Sequence, residues 1–214
     1  MTYWKVRAGM KQNKVKVIGI TGGIATGKST VSQMIRDEGF QVIDSDGIAR
    51  EVVKRGSQGL DMVIDEFGKD LLMDDGDLDR EKLGRLIFQN EEKRRLLNKL
   101  LHPLIRESMA SRIEQAAASH SVLFVDIPLL FESREDIEDS GIELDEVWVV
   151  YTDPTTQLNR LMNRNDYTYD EAQARIKSQL DIEEKKRLGD KVINNSGSFE
   201  NTRKQVKDLL NEYR

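Results

Sequence analysis

Cysteine is absent from this 214-residue chain, so neither a disulfide nor a thiolate metal site can form. Histidine is scarce: His102 and His120 are too few for a histidine-based metal cluster. No run reaches the ~18 apolar residues that suggest a transmembrane helix. Basic residues are outnumbered 33 to 38, and the formal net charge of -5 gives no electrostatic footprint for nucleic acid. Residues 1–13 hold Trp4 and several basic side chains but no continuous apolar stretch, so they do not read as a secretory signal. We read residues 1–14 as a leader, a disordered or non-native extension, with Met10 offering a second start. No repeat or low-complexity segment is visible. A third of the residues are charged, which suggests a helix-rich, soluble surface and a cytoplasmic protein. The length suits one α/β domain with an inserted subdomain.

What is present concentrates first in Gly22-Gly23-Ile24-Ala25-Thr26-Gly27-Lys28-Ser29-Thr30. Gly22, Gly27, Lys28 and Ser29 fit the pattern G-x-x-x-x-G-K-[ST] of a phosphate-binding loop. The apolar, β-branched run from Val15 to Ile20 precedes it as a buried strand. A helix from Lys28 to Glu38 follows, with Val31, Met34 and Ile35 on one face. Backbone N–H groups and the positive helix end suit the phosphates of a nucleotide. Glycine permits close approach and positive φ. Lys28 supplies a point charge for the β- and γ-phosphates, and the Ser29 hydroxyl is a ligand type for Mg²⁺.

Strands are expected at 41–43, 122–125, 147–151 and 192–193, five in all with the first. Helices alternate with them, which predicts a parallel sheet covered on both faces. Between the second and third strands the pattern is helical, at 60–67, 79–89, 91–101 and 103–118, with a turn or hairpin at 68–76. The acidic stretch 132–146 reads as an exposed loop or short helix. Asp153-Pro154 is a cap with a first-turn proline, and Thr168-Tyr169-Asp170-Glu171 is a capping box opening a helix to about Leu188. Phe199 to Tyr213 forms the last helix.

Asp44 and Asp46 end the second strand, where doubly wound sheets bind ligands. A carboxylate there can accept a proton from an attacking hydroxyl, although Ser45 or Asp46 is equally placed to cap the next helix. Asp126 ends an apolar strand, the setting of a carboxylate that holds Mg²⁺ through water, or of a plain turn residue before Pro128. Arg160 and Arg164 share one helix face and could clamp transferring phosphoryl oxygens on a closing lid; a solvated charged face is the bland alternative. His102-Pro103 reads as a joint between two helices.

Together these segments resemble the dephospho-CoA kinase family. The matching text is the loop with Ile18-Gly19-Ile20-Thr21 before it, Val42-Ile43-Asp44-Ser45-Asp46, Leu78-Asp79-Arg80 and Leu101-His102-Pro103-Leu104-Ile105. It continues through Asp126-Ile127-Pro128-Leu129-Leu130-Phe131-Glu132, Gln157-Leu158 with Arg160 and Arg164, Gln179, and Val192-Ile193-Asn194-Asn195. The resemblance implies a P-loop kinase with a five-stranded parallel sheet, a coenzyme-A-binding helical lobe (about 59–119) and a lid (about 154–189). The core would be about 15–58, 120–153 and 190–214. It implies ATP-dependent phosphorylation of the ribose 3′-hydroxyl of dephospho-CoA, with Mg²⁺. Asp46, Lys28 and Arg160 would be catalytic. Residues Gly22 to Thr30, Arg160, Arg164 and Asn195, the last in a segment lining adenine, would hold ATP. Asp46, Leu78, Arg80, His102, Pro128 and Leu129 would face the acceptor, and Ser29 and Asp126 the metal. Neither nucleic acid nor membrane is expected as a partner, and the chain is expected as a monomer or weak homo-oligomer. The family usually has Gly-Ser where this chain has Ala25-Thr26, and alanine should disfavour positive φ there. The rival readings are another small-acceptor kinase, of shikimate or nucleoside type, or a nucleotide-dependent switch. The first would not need the His102-Pro103 lobe. A GTPase switch would need an Asn-Lys-x-Asp segment, which the chain lacks.

Overall fold

A computed structural model describes residues 15–88, 90–132 and 142–214. The leader and most of the acidic stretch 132–146 lie outside the described residues. Among those described, five strands form one parallel sheet in the order β2-β3-β1-β4-β5. They are β1 (Lys16–Gly22), β2 (Gln41–Asp44), β3 (Val122–Asp126), β4 (Glu146–Tyr151) and β5 (Lys191–Asn194). The inner strands are apolar almost throughout because helices cover both faces. Alternation then assigns each side chain to a layer. Ile18, Ile20, Phe124, Trp148 and Val150 pack with Val31 and Ile35 of helix α1 (Lys28–Asp37) on one face. Val17, Val125, Val147 and Val149 form the other layer, with Ile48 and Met109.

Register sets the site. Ile20 on β1 and Asp44 on β2 both pair with Asp126 on β3. The carboxyl ends of three adjacent strands therefore carry the glycine-rich loop, the Asp44–Asp46 turn and Asp126 side by side.

The helical stretch builds a core of its own from Val53, Leu60, Val63, Leu71, Leu78, Leu83, Leu97 and Leu101. It comprises α2 (Ser45–Glu51), α3 (Gln58–Phe67), α4 (Arg80–Phe88) and α5 (Glu91–Ala117), with a 3₁₀ turn at Lys69–Leu71 and a bridge between Leu72 and Leu78. The expected joint at His102-Pro103 does not occur. Pro103 lies inside the 27-residue α5. An interior proline costs about 3 kcal/mol, but α5 is held at both ends by burial. Leu97 and Leu101 enter the lobe core and Met109 the sheet core.

The expected helix from 168 to Leu188 is two helices. After α6 (Pro154–Asn165), α7 (Tyr169–Lys177) stops and α8 (Ile182–Leu188) restarts. Thr168 makes the predicted capping box with Glu171. The break follows because Asp181 caps α8, accepting from the Glu183 amide at 2.8 Å, and Leu180 donates to Glu132 at 3.0 Å. The chain ends in α9 (Phe199–Leu210) and a 3₁₀ turn at Asn211–Tyr213.

Candidate active site

Gly22 closes β1, and a Cβ there would sit 2.7 Å from the Val150 carbonyl oxygen. The chain then folds back on itself. The Thr26 amide and hydroxyl both donate to the Gly23 carbonyl, at 3.3 and 2.9 Å. Ala25 stands at φ 61 and Gly27 at φ 87, both left-handed. Alanine thus adopts the conformation it was expected to disfavour, at a cost of about 1–2 kcal/mol. Gly27 is the N-cap of α1, whose start has no side-chain cap and no acidic residue in its first turn. Its leading N–H groups are left for an anion. Ser29 and Thr30 are exposed on that turn.

Three side chains from distant parts of the chain hold this loop. Asn195, 8% exposed, donates to the Thr26 carbonyl at 2.7 Å and accepts from the Thr202 hydroxyl at 2.9 Å. Each end of its amide makes one bond behind the loop, so the side chain supports the turn. Gln157 Nε2 donates to the Ile24 carbonyl at 2.8 Å, and Gln179 Oε1 accepts from the Ile24 amide at 2.8 Å.

Lys28 Nζ pairs with Asp126 Oδ1, and Ser32 donates to Asp126 Oδ2 at 2.7 Å. Asp126 is buried, so these two contacts fix its carboxylate. A second ion pair, with a buried lysine, lies nearby. Lys185, fully buried, meets Glu132 Oε1 at 2.7 Å and donates to the Gly22 carbonyl at 3.4 Å.

Capping of α2 falls to Asp44, which accepts from the Asp46 amide at 3.0 Å, and not to Ser45 or Asp46. The Asp46 carboxylate is thereby free for a cavity of 600 Å³ lined by Asp46, His102, Arg106, Pro128, Leu129 and Gln179 among others. Asp46 is open to this cleft, yet desolvation by the surrounding protein raises its pKa above the ordinary 3.8; the Lys28 charge opposes the shift and Asp44 adds to it. His102, expected at a helix joint, faces the cavity from mid-α5. Leu78 and Arg80 do not line it. Leu78 is 4% exposed in the lobe core, and Arg80 donates to the Arg50 carbonyl at 3.0 Å. A larger cavity of 720 Å³ runs along the outer edge of β2 beside Arg112 and His120, away from the loop.

Arg160 and Arg164 follow Gln157 by three and seven positions on α6, on the face turned to the loop. Among the described residues no carboxylate pairs with Arg160. Arg164 donates to Asn165 at 2.9 Å.

The structure thus gathers Lys28, Asp126 and Asp46 at adjacent strand ends, and separates Leu78 and Arg80 from them. Sequence reasoning gave no role to Ser32, Gln157 or Lys185. The available signal was a polar residue at a core position: Gln157 is four before buried Leu161, and Lys185 three after buried Ile182.

The family model described as Dephospho-CoA kinase matches residues 16–201. A dephospho-CoA kinase of Bacillus cereus is 48% identical over 198 residues, covering 92% of this chain and 96% of that protein. The crystal structure of a dephospho-CoA kinase from Campylobacter jejuni superposes with a TM-score of 0.68 at 32% identity, covering 92% of this chain and 96% of that one. A protein from Thermus thermophilus superposes with a TM-score of 0.76 at 29% identity, over 94% of this chain and 98% of that one. With a phosphate-loop motif, a family model over residues 16–201 and near-complete coverage of its relatives in agreement, the chain belongs to the dephospho-CoA kinase family.

Proposed function

We propose the residue roles by which this kinase carries the γ-phosphoryl group of ATP to the ribose 3′-hydroxyl of dephospho-CoA, giving coenzyme A and ADP in the last step of coenzyme A synthesis. The carrying observation is Asp46: a carboxylate on the acceptor cavity that senses the charge of the phosphate-loop lysine. The acceptor oxygen attacks the γ-phosphorus, the bond to the β–γ bridging oxygen breaks, and the hydroxyl proton passes to Asp46. Lys28, the leading N–H groups of α1 and Arg160 hold the transferring phosphates, and Arg164 adds charge at the outer end of the same helix face. Residues 22–27 cradle ATP, and Asn195 keeps their shape. His102, Pro128 and Leu129 position the acceptor; Leu78 and Arg80 act on it through the lobe's structure.

The donor set suits Mg²⁺: an exposed hydroxyl, Ser29, and a fixed carboxylate, Asp126, both hard oxygen ligands. When bound there, the ion neutralises phosphate charge.

The lobe (59–119) and lid (154–189) readings are supported by the separate apolar core and by the helix pair carrying Arg160. Among the described residues no helix is long and apolar enough to cross a membrane. We take the enzyme to be cytoplasmic, a monomer or weak homo-oligomer, with no nucleic-acid partner. ADP release coupled to dephospho-CoA is the test. Asp46→Asn should lower kcat by about 10²–10⁴-fold; turnover equal to the parent enzyme would refute the assignment.

A further inference from the structure

Gln157 and Gln179 stand at the two ends of the α6–α7 helix pair of the lid. Gln157 lies in the first turns of α6, and Gln179 follows Ser178, the C-cap of α7. Both reach the same loop residue, Ile24, one through its carbonyl and one through its amide. The carbonyl held by Gln157 belongs to the peptide joining Ile24 to Ala25, the residue at φ 61. A left-handed alanine persists only where its surroundings over-determine it, and this pair of hydrogen bonds does so. Gln157 is 2% exposed, and its Oε1 has no hydrogen-bond partner among the described residues. A buried orphan acceptor destabilises the fold, so packing alone does not account for an amide here. Gln179 also lines the acceptor cavity.

We propose that Gln157 and Gln179 are positioning residues that clamp Ile24 from both ends of the α6–α7 helix pair and so hold the phosphate loop in the left-handed turn at Ala25 that phosphoryl transfer requires. The clamp ties the lid, the ATP loop and one wall of the acceptor cavity together. It rests on the kinase reading above.

The test uses the full chain with Mg-ATP and dephospho-CoA, comparing Gln157→Met and Gln179→Met, each alone and with Ala25→Gly, in steady-state kinetics and thermal melts. Gln157→Met removes the orphan acceptor but also the bond to the Ile24 carbonyl, two opposing effects, so its melting temperature should stay close to the parent's, yet it should lose about tenfold in kcat/KM for ATP, a displaced loop being the cause. Ala25→Gly should restore most of that loss, because glycine reaches the left-handed turn without the strain that the clamp offsets for alanine. Gln179→Glu keeps the acceptor for the Ile24 amide and should stay within about threefold of the parent. The proposal is overturned if both methionine variants turn over like the parent. It is equally overturned if activity falls only in step with melting temperature, or if Ala25→Gly restores nothing. Asp46→Asn, assayed alongside, reports separately on the acceptor assignment.

Discussion

Replacing Ala25 by glycine should stabilise this enzyme, against the usual effect of adding glycine. The residue sits at φ 61, where an L side chain costs about 1–2 kcal/mol. Glycine removes that cost but gives the unfolded chain freedom worth about 0.4–1 kcal/mol. The lost methyl is half-buried and takes with it a few tenths of about 0.8 kcal/mol. The balance is a gain of about 0.5 kcal/mol, or about 1–2 °C in Tm for a domain of this length. Differential scanning calorimetry of the purified chain reads it directly. Ala25→Val supplies the opposite arm: a β-branched residue tolerates positive φ less well, and its Tm should fall. If Ala25→Gly melts below the parent, or Ala25→Val above it, the strain assigned to this turn is wrong.

Other outcomes follow from the geometry at Asp46, at Gly27 and at the Glu132–Lys185 pair. Asp46 must be ionised to accept a proton, and its pKa is raised by desolvation. The acid limb of kcat/KM should therefore lie above the range of an ordinary aspartate and vanish in Asp46→Asn. By the same sign the native state holds the Asp46 proton more tightly than the unfolded chain. Stability from this group is lost as pH rises through the native pKa, and Asp46→Asn should be no less stable than the parent at neutral pH in a pH series of melts. Gly27→Ala meets a φ of 87 and would press its Cβ into Asn195 Nδ2; it should cost more than about 1–2 kcal/mol and weaken ATP binding by titration calorimetry. Glu132→Ala strands fully buried Lys185 and should cost about 3–5 kcal/mol in urea unfolding. Lys185→Met should cost clearly less, because Glu132 is 21% exposed and keeps the Leu180 amide; equal costs would contradict this account.

Local rules served well where one segment carries its own information. The β-branched runs became buried parallel strands, and the Asp153-Pro154 and Thr168–Glu171 starts became helix caps. They failed where distant packing outweighed a local signal. Pro103 would end an isolated helix, but two separate cores hold α5 straight through it. The helical period after Thr168 continues past Ser178, yet the chain breaks there to place Gln179 on the loop and Leu180 on Glu132. Leu78 belongs to a matching motif, and only the lobe's packing assigns it to the core.

From the sequence alone came the strand, loop and helix that bind phosphate, and the order of motifs that marks the family. These are contiguous patterns, and their chemistry follows from residue type and spacing. The tertiary structure alone decided where each carboxylate stands. Asp44 caps a helix and Asp46 lines a cavity, while Asp126 meets Lys28 from 98 positions away. It also decided what grips the loop, since Gln179 and Ile24 are 155 positions apart. Such contacts depend on how parallel strands are ordered and where helices end, and no local pattern encodes either.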